Sequence, residues 1–404
     1  MLLAFINSNL QQRCKDQNAM NKLLITLSLP FMLMTTDADA QRTPIKQVDW
    51  TLAAKLQNPD GSPSLGFAGA INAVSNNVLI VAGGANFPDK MPWEGGKKYY
   101  SKEIQVLQRK GDQFTWDAVV KDTLPEAIAY CGITTTDLGV VYAGGENDKG
   151  LSKNAFMLNW DPAQHKIIVK ALPALPFAVT NIGLTHIGNV VYAVGGDREK
   201  QSSAAAFKLD LNQAIPQWET LPALPTALAN AVVVAQAAEV YVIGGRTKTA
   251  SGISDLHGTV YAYDPKKQSW RSCAALSDGQ RKTNFSAGAG VAIGKNMILI
   301  TGGDNGEVFH RIETYISQIS KTESPEEKAK LTAEKNALSI NHKGFYKAML
   351  LYHIPSDTWR KLGDLPFPAQ VTTTAAKWGN DIILSNGEVK PGVRTPNVML
   401  GTIK

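Results

Sequence analysis

The residues best placed to do chemistry lie near the C-terminus. The run Asn386-Gly387-Glu388-Val389-Lys390-Pro391-Gly392-Val393-Arg394-Thr395 holds a carboxylate and a guanidinium six residues apart, with a Pro-Gly step between them. Pro391 and Gly392 set a tight turn, which is expected to fold Arg394 back beside Glu388. A carboxylate can act as a general base, and a guanidinium offers a planar fork to an anion. The same two groups also suit a structural salt bridge, and composition does not choose between the readings.

Other polar residues recur just after Gly-Gly pairs: Asn86, Glu146 with Asn147, Asp197 with Arg198, Arg246, and Asp304 with Asn305. Together they predict a polar ring, although each alone suits a turn or cap. A long excursion, Pro92-Trp93-Glu94-Gly95-Gly96-Lys97-Lys98-Tyr99-Tyr100, mixes aromatics with charge as a sugar site requires. The six histidines show no paired metal-ligand spacing, so no metal is expected. No P-loop, dinucleotide fingerprint or G-x-S-x-G elbow occurs. A Ser/His/Asp triad stays open.

The elements that must position these residues are repeats. A β-branched run ends in Gly-Gly five times: Val78–Gly84, Val140–Gly145, Val190–Gly196, Val240–Gly245 and Met297–Gly303. A sixth run, Asp381–Leu384, ends in Ser385-Asn386-Gly387-Glu388, and Glu388 is read as standing where the second glycine should be. The resulting intervals of 61, 51, 49, 58 and 85 residues lie near the kelch period of about 50. Each run is preceded by one apolar strand and followed by two more, the last usually carrying a tryptophan: Trp116, Trp218, Trp270 and Trp359. Four short strands form a twisted blade that buries its faces only against neighbours. The pattern predicts an all-β fold, a six-bladed kelch-type β-propeller with a short helical insertion in the fifth blade.

The last repeat lacks its tryptophan strand. Val48-Asp49-Trp50-Thr51-Leu52 supplies one, so the N-terminal strand is expected to close the last blade and remove an exposed edge. The long fifth interval contains the insertion at 307–347. There Ser324-Pro325-Glu326-Glu327 reads as a helix start, and Phe309, Ile312, Ile316 and Ile319 follow helical spacing. A lid over the channel mouth and a solvated decoration are both consistent with it. Residues 1–40 read as a leader: a start at Met20, an apolar run from Leu23 to Met34, and Ala38-Asp39-Ala40 as a cleavage site. A periplasmic protein cut after Ala40 follows, with 41–404 as one propeller. No later segment is apolar enough to imply a membrane. Cys131 and Cys273 remain, and separate thiols are expected. The net charge of +6 is scattered without a basic run, which argues against nucleic acid and suits an anionic small molecule.

The N-G-E-x-K-P-G-x-R-T loop from Asn386 to Thr395 resembles the bacterial N-acetylneuraminate epimerase family, the sialic acid mutarotases. So do the Asp304-Asn305 loop with its helical insertion and the Gly95-Gly96-Lys97-Lys98 stretch. The likeness covers most of 48–150 and 255–404 and is weaker between them. Its blade order resembles a cyclically permuted branch, which a closed ring tolerates. The resemblance implies interconversion of α and β anomers of an acidic sugar without a cofactor. It places the catalytic glutamate on Glu388 and the substrate-contacting arginine on Arg394. Asn386, Lys390, Asn86, Lys97, Asp304 and Asn305 are then expected around the sugar. The competing reading is a non-catalytic propeller that binds a glycan or a protein. A sialidase is disfavoured, because no S-x-D-x-G-x-x-W turn is present.

Overall fold

The computed structural model describes Ile45–Lys404. The expected leader, with its start at Met20 and its cleavage site, lies outside the described residues. Among those described, six antiparallel four-stranded sheets form the blades of a β-propeller. Blade 1 runs outward as Ile71–Ser75, Val78–Ala82, Ile104–Lys110 and Gln113–Trp116. The second strands, such as Val78–Ala82 and Gly139–Ala143, are buried along their whole length, so they read as continuous apolar runs. Outer strands such as Lys166–Leu172 face solvent on one side and mix polar with apolar residues.

Neighbouring blades hold each other in three ways. Apolar side chains fill the gaps: blade 6 packs Trp378, Ile383 and Leu400 against Leu79, Val81 and Leu107 of blade 1. The outer tryptophans then tie the rim. Trp116, Trp218, Trp270 and Trp359 donate their indole N–H to the carbonyls of Lys55, Pro173, Pro222 and Ala274 at 2.8 to 3.0 Å. Each carbonyl lies at or just past the end of the preceding blade's outer strand. Such a bond is worth about 1 kcal/mol net. At the channel mouth, backbone amides bond to the blade before: Tyr130 to Gly69, Asn181 to Tyr130, Asn230 to Asn181, Ala287 to Asn230 and Thr372 to Ala287. Gly69 closes the circle onto Thr372 at 2.7 Å.

The glycine pairs serve the same closure. The second glycine donates its N–H to a carbonyl of the next blade, as Gly84 does to Ile128 and Gly145 to Val179, both at 2.8 Å. In blade 6 this bond comes from Gly387, to Phe67 at 2.8 Å, and Gly387 has φ +104° like the other second glycines. The placement of Glu388 at a glycine position is therefore corrected by one residue. Asn386, at φ +62°, replaces the first glycine, because asparagine tolerates the left-handed region. Glu388 follows the pair and is equivalent to Glu146, Asp197, Arg246 and Asp304, each of which makes the same isolated bridge.

Blade 6 contains Ala375–Trp378, Asp381–Ser385 and Asn397–Ile403, with Val48–Lys55 as its outer strand. Trp50 lies opposite Gly401 and Thr51 opposite Leu400. In blade 5 two helices leave after the glycine pair: α1, Glu307–Lys321, and α2, Pro325–Ile340. Ser324 caps α2 by accepting the Glu327 N–H at 3.3 Å. The apolar spacing of α1 does not make a buried stripe, and Ile316 is half exposed. α1 docks through polar groups instead. Glu313 accepts from the Ser254 amide and hydroxyl, and Ser317 donates to Ser251. α2 reaches the blade 1 excursion, where Asn336 donates to the Trp93 carbonyl at 3.3 Å. The insertion thus bridges strand-two-to-three loops of blades 4 and 1, on the face that carries Glu388. Cys131 and Cys273 are free, and among the described residues no helix is long and apolar enough to cross a membrane.

The glycine argument makes a prediction. Gly302 has φ +70°, and a Cβ there would overlap the Gln370 carbonyl of blade 6. Gly302→Ala should cost about 1–3 kcal/mol, read from urea denaturation. An unchanged midpoint would contradict this view of the blade junction.

Candidate functional site

Residues Glu388–Lys390 and Val393–Arg394 form a short hairpin that stands Glu388 opposite Arg394. The turn between them has a tight fit: Gly392, at φ +82°, would bring a Cβ to 2.8 Å from Pro92. Only glycine lets the blade 6 hairpin settle on the blade 1 excursion there. The Gly392 amide donates to Glu388 Oε1 at 2.7 Å, and Arg394 Nη1 lies 3.7 Å from the same oxygen. At that distance the two charges attract without a hydrogen bond.

Arg394 is held from blade 1. Its Nε donates to the Ala85 carbonyl at 3.3 Å, and its guanidinium lies over the Phe87 ring at 4.8 Å. Its side chain is only 4% exposed, yet Nη1 has no hydrogen-bond partner among the described residues. A buried donor left open in this way is uncommon and calls for an acceptor.

Next to this pair stands a second cluster from blades 1 and 2. Lys98 Nζ lies 3.2 Å from Glu146 Oε1, and the Tyr100 hydroxyl donates to the same oxygen at 2.8 Å. Lys98 also sits 5.0 Å from the centre of the Tyr130 ring. Burial works to lower the Lys98 pKa, but Tyr130, Glu146 and Tyr100 outweigh it and keep the ammonium above its ordinary value. Burial and the bond to Glu146 push the Tyr100 phenol up to about 12. Burial also raises Tyr130, against the pull of Lys98 and Arg394. Across the mouth, Asp197 and Arg246 pair at 2.5 Å and neutralise each other. The channel holds a cavity of about 540 Å³ lined by the first strands, including Tyr130 and Thr372. Glu388 bridges to Val371, next to Thr372, at its rim.

The family description N-acetylneuraminate epimerase matches residues 20–167 and 172–404. The chain belongs to this family. The N-acetylneuraminate epimerase of Salmonella typhimurium is 28% identical over 155 residues, 37% of each chain. That of Brucella melitensis is 27% identical over 236 residues, 57% of this chain and 59% of the relative. The aligned stretches thus span less than two thirds of these curated relatives.

Within this epimerase-family chain, the other residues picked out from sequence divide into three groups. Asn386 and Asn86 are buried, each with its side-chain amide N–H engaged and its Oδ1 without a partner among the described residues. The Asn386 amide donates to Asn72 and Ser385 at 3.0 Å, and that of Asn86 to the Gly66 carbonyl at 3.1 Å. Lys97 and Lys390 are exposed, and it is Lys98, not Lys97, that turns into the cluster. Asp304 and Asn305 accept the Gly306 and Glu307 amides at 2.7 and 3.2 Å, so they shape the start of α1. Tyr130 escaped the sequence reading, because nothing marks a lone tyrosine between blades.

Burial holds the Asp304 carboxyl above its ordinary value, despite the Gly306 amide and the nearby His342 and His310. A carboxyl raised on folding binds a proton that the unfolded chain has already released. Its contribution to stability therefore falls as pH rises. Relative to Asp304→Asn, the wild type should lose stability as pH rises from about 4, measured by chemical denaturation of both proteins from acid to neutral pH. Two parallel curves would contradict the shift.

Proposed function

We propose that this chain interconverts the α and β anomers of N-acetylneuraminate. The observation that carries the reading is the buried Arg394 guanidinium with an open Nη1, fixed beside the carboxylate of Glu388. A buried donor without a partner is costly unless a ligand supplies the acceptor. A sugar carboxylate supplies one in the bidentate geometry that arginine favours. The Gly392 amide occupies one oxygen of Glu388 and fixes the group as a hydrogen-bond acceptor next to that anchor.

Anomer exchange at a cyclic hemiketal needs two proton movements. Glu388 takes the proton of the anomeric hydroxyl as C2=O forms and the bond from C2 to the ring oxygen breaks. The ring oxygen gains a proton as it leaves. Rotation about C2–C3 presents the other face of the ketone, and the reverse transfers close the ring. Two proton transfers at neutral pH suffice, and positioned side chains accelerate them. The apolar run Leu23–Met34 followed by Ala38-Asp39-Ala40 supports a periplasmic location for this activity.

Glu388→Gln keeps shape and hydrogen bonding but removes the proton acceptor, so turnover should fall by about 10²–10⁴-fold with little change in KM. Arg394→Lys keeps charge but loses the fork, so KM should rise more than turnover falls. Initial rates by polarimetry near neutral pH, with the spontaneous reaction subtracted, separate the two. A folded Glu388→Gln that turns over like wild type would overturn the assignment, and in a binding-only propeller neither variant would affect any rate.

A further inference from the structure

Six residues at the head of the first strands, one from each blade, have positive φ: Gly69, Tyr130, Asn181, Asn230, Ala287 and Thr372. The ring of backbone bonds at the channel mouth imposes that conformation on each. Glycine and asparagine accept it readily, whereas a large aromatic residue rarely does. Tyr130, at φ +57°, is the large one. Strain of this kind concentrates where a side chain has a task.

The surroundings of Tyr130 are arranged for its ring. It lies over Gly69, where a Cβ would come within 2.5 Å of the ring, so blade 1 leaves space for it. Lys98 covers it at 5.0 Å from the ring centre and is itself held by Glu146. Tyr130 is among the residues that line the channel cavity, and the charges of Lys98, Arg394, Glu388 and Glu146 all bear on its phenol. Of the other enclosed tyrosines, Tyr100 donates to Glu146 and Tyr241 to Glu239, while the Tyr142 hydroxyl is buried in the core without a partner among the described residues. Tyr130 is partly exposed at the mouth, where it borders the channel cavity.

We infer that Tyr130 is a second catalytic residue of this site, exchanging the proton of the sugar ring oxygen while Glu388 serves the anomeric oxygen. The inference rests on the anomer-exchange reading above. On opening, the Tyr130 O–H gives its proton to the ring oxygen as the bond to C2 breaks, and Glu388 gains the anomeric proton. The phenolate that results faces the Lys98 ammonium, which stabilises it. On closure the new ring-chain hydroxyl returns its proton to Tyr130, and Glu388 returns its own to the ketone oxygen. Both residues end as they began.

The test is Tyr130→Phe in the full chain, which keeps the ring, its packing on Gly69 and the contact with Lys98. Turnover with N-acetylneuraminate should fall by about 10²-fold or more. The affinity for its methyl α-glycoside, which cannot open, should stay within about twofold, since only the proton donor is lost. Wild-type turnover in the variant, or a loss of affinity that matches the loss of turnover, would overturn the inference while leaving the role of Glu388 intact. Wild-type protein that accelerates nothing would instead overturn the functional reading, and this inference with it. A second measurement does not depend on how the variant folds. Fluorotyrosine at position 130 keeps the hydroxyl but makes it more acidic, so the alkaline limb of turnover should move to lower pH. An unmoved limb counts against proton exchange by Tyr130.

Discussion

Six backbone hydrogen bonds at the channel mouth, each from one blade to the blade before, are the constraint on which the site depends. They fix the first strand of every blade at one height and one rotation. The circle exists only because Gly69 of blade 1 meets Thr372 of blade 6 at 2.7 Å. That meeting depends in turn on Val48–Lys55, which completes blade 6 with the opposite end of the chain. The residues at the mouth are thus positioned by closure of the whole ring, and no single blade sets them. A side chain at one of these positions has little freedom to relax, and a large one is held where it is.

Closure also decides which charges stay open. Most of the polar residues after the glycine pairs are already paired. Asp197 is tied to Arg246, and Glu146 to Lys98 and Tyr100. Glu388 and Arg394 lie close but short of a hydrogen bond, because the Gly392 amide holds the carboxylate while Ala85 and Phe87 hold the guanidinium. Those partners come from two blades that are distant in sequence and adjacent only in the closed ring. A charge pair kept apart by its supports retains capacity for a ligand, which a satisfied salt bridge lacks.

Much of this was legible in the sequence, and for physical reasons. Gly-Gly pairs mark positions where a Cβ would strike the next blade, so the blade count follows from their spacing. The missing tryptophan strand pointed to Trp50, because an open edge has to be covered. The Pro-Gly turn brought Arg394 to Glu388. The one-residue error at Glu388 arose because Asn386 takes the left-handed place of a glycine, and that substitution is not visible without the backbone. Lys97 and Lys98 cannot be told apart until the excursion folds. Tyr130 was hidden because its positive φ is imposed by the ring, at a position where the other blades carry glycine, asparagine, alanine or threonine. Ile316 shows the opposite failure: helical spacing suggested a buried face, but α1 is anchored through Glu313 and Ser317.

The central claim is that the open Glu388–Arg394 pair at the mouth of a closed ring exchanges the anomers of an acidic sugar. The most direct measurement is proton NMR of freshly released α-N-acetylneuraminate, following the C3 proton signals of both anomers with and without the wild-type protein near neutral pH. The account predicts that the approach to the anomeric equilibrium quickens in proportion to protein concentration, with the final ratio unchanged. A rate equal to the spontaneous one at every protein concentration would contradict it.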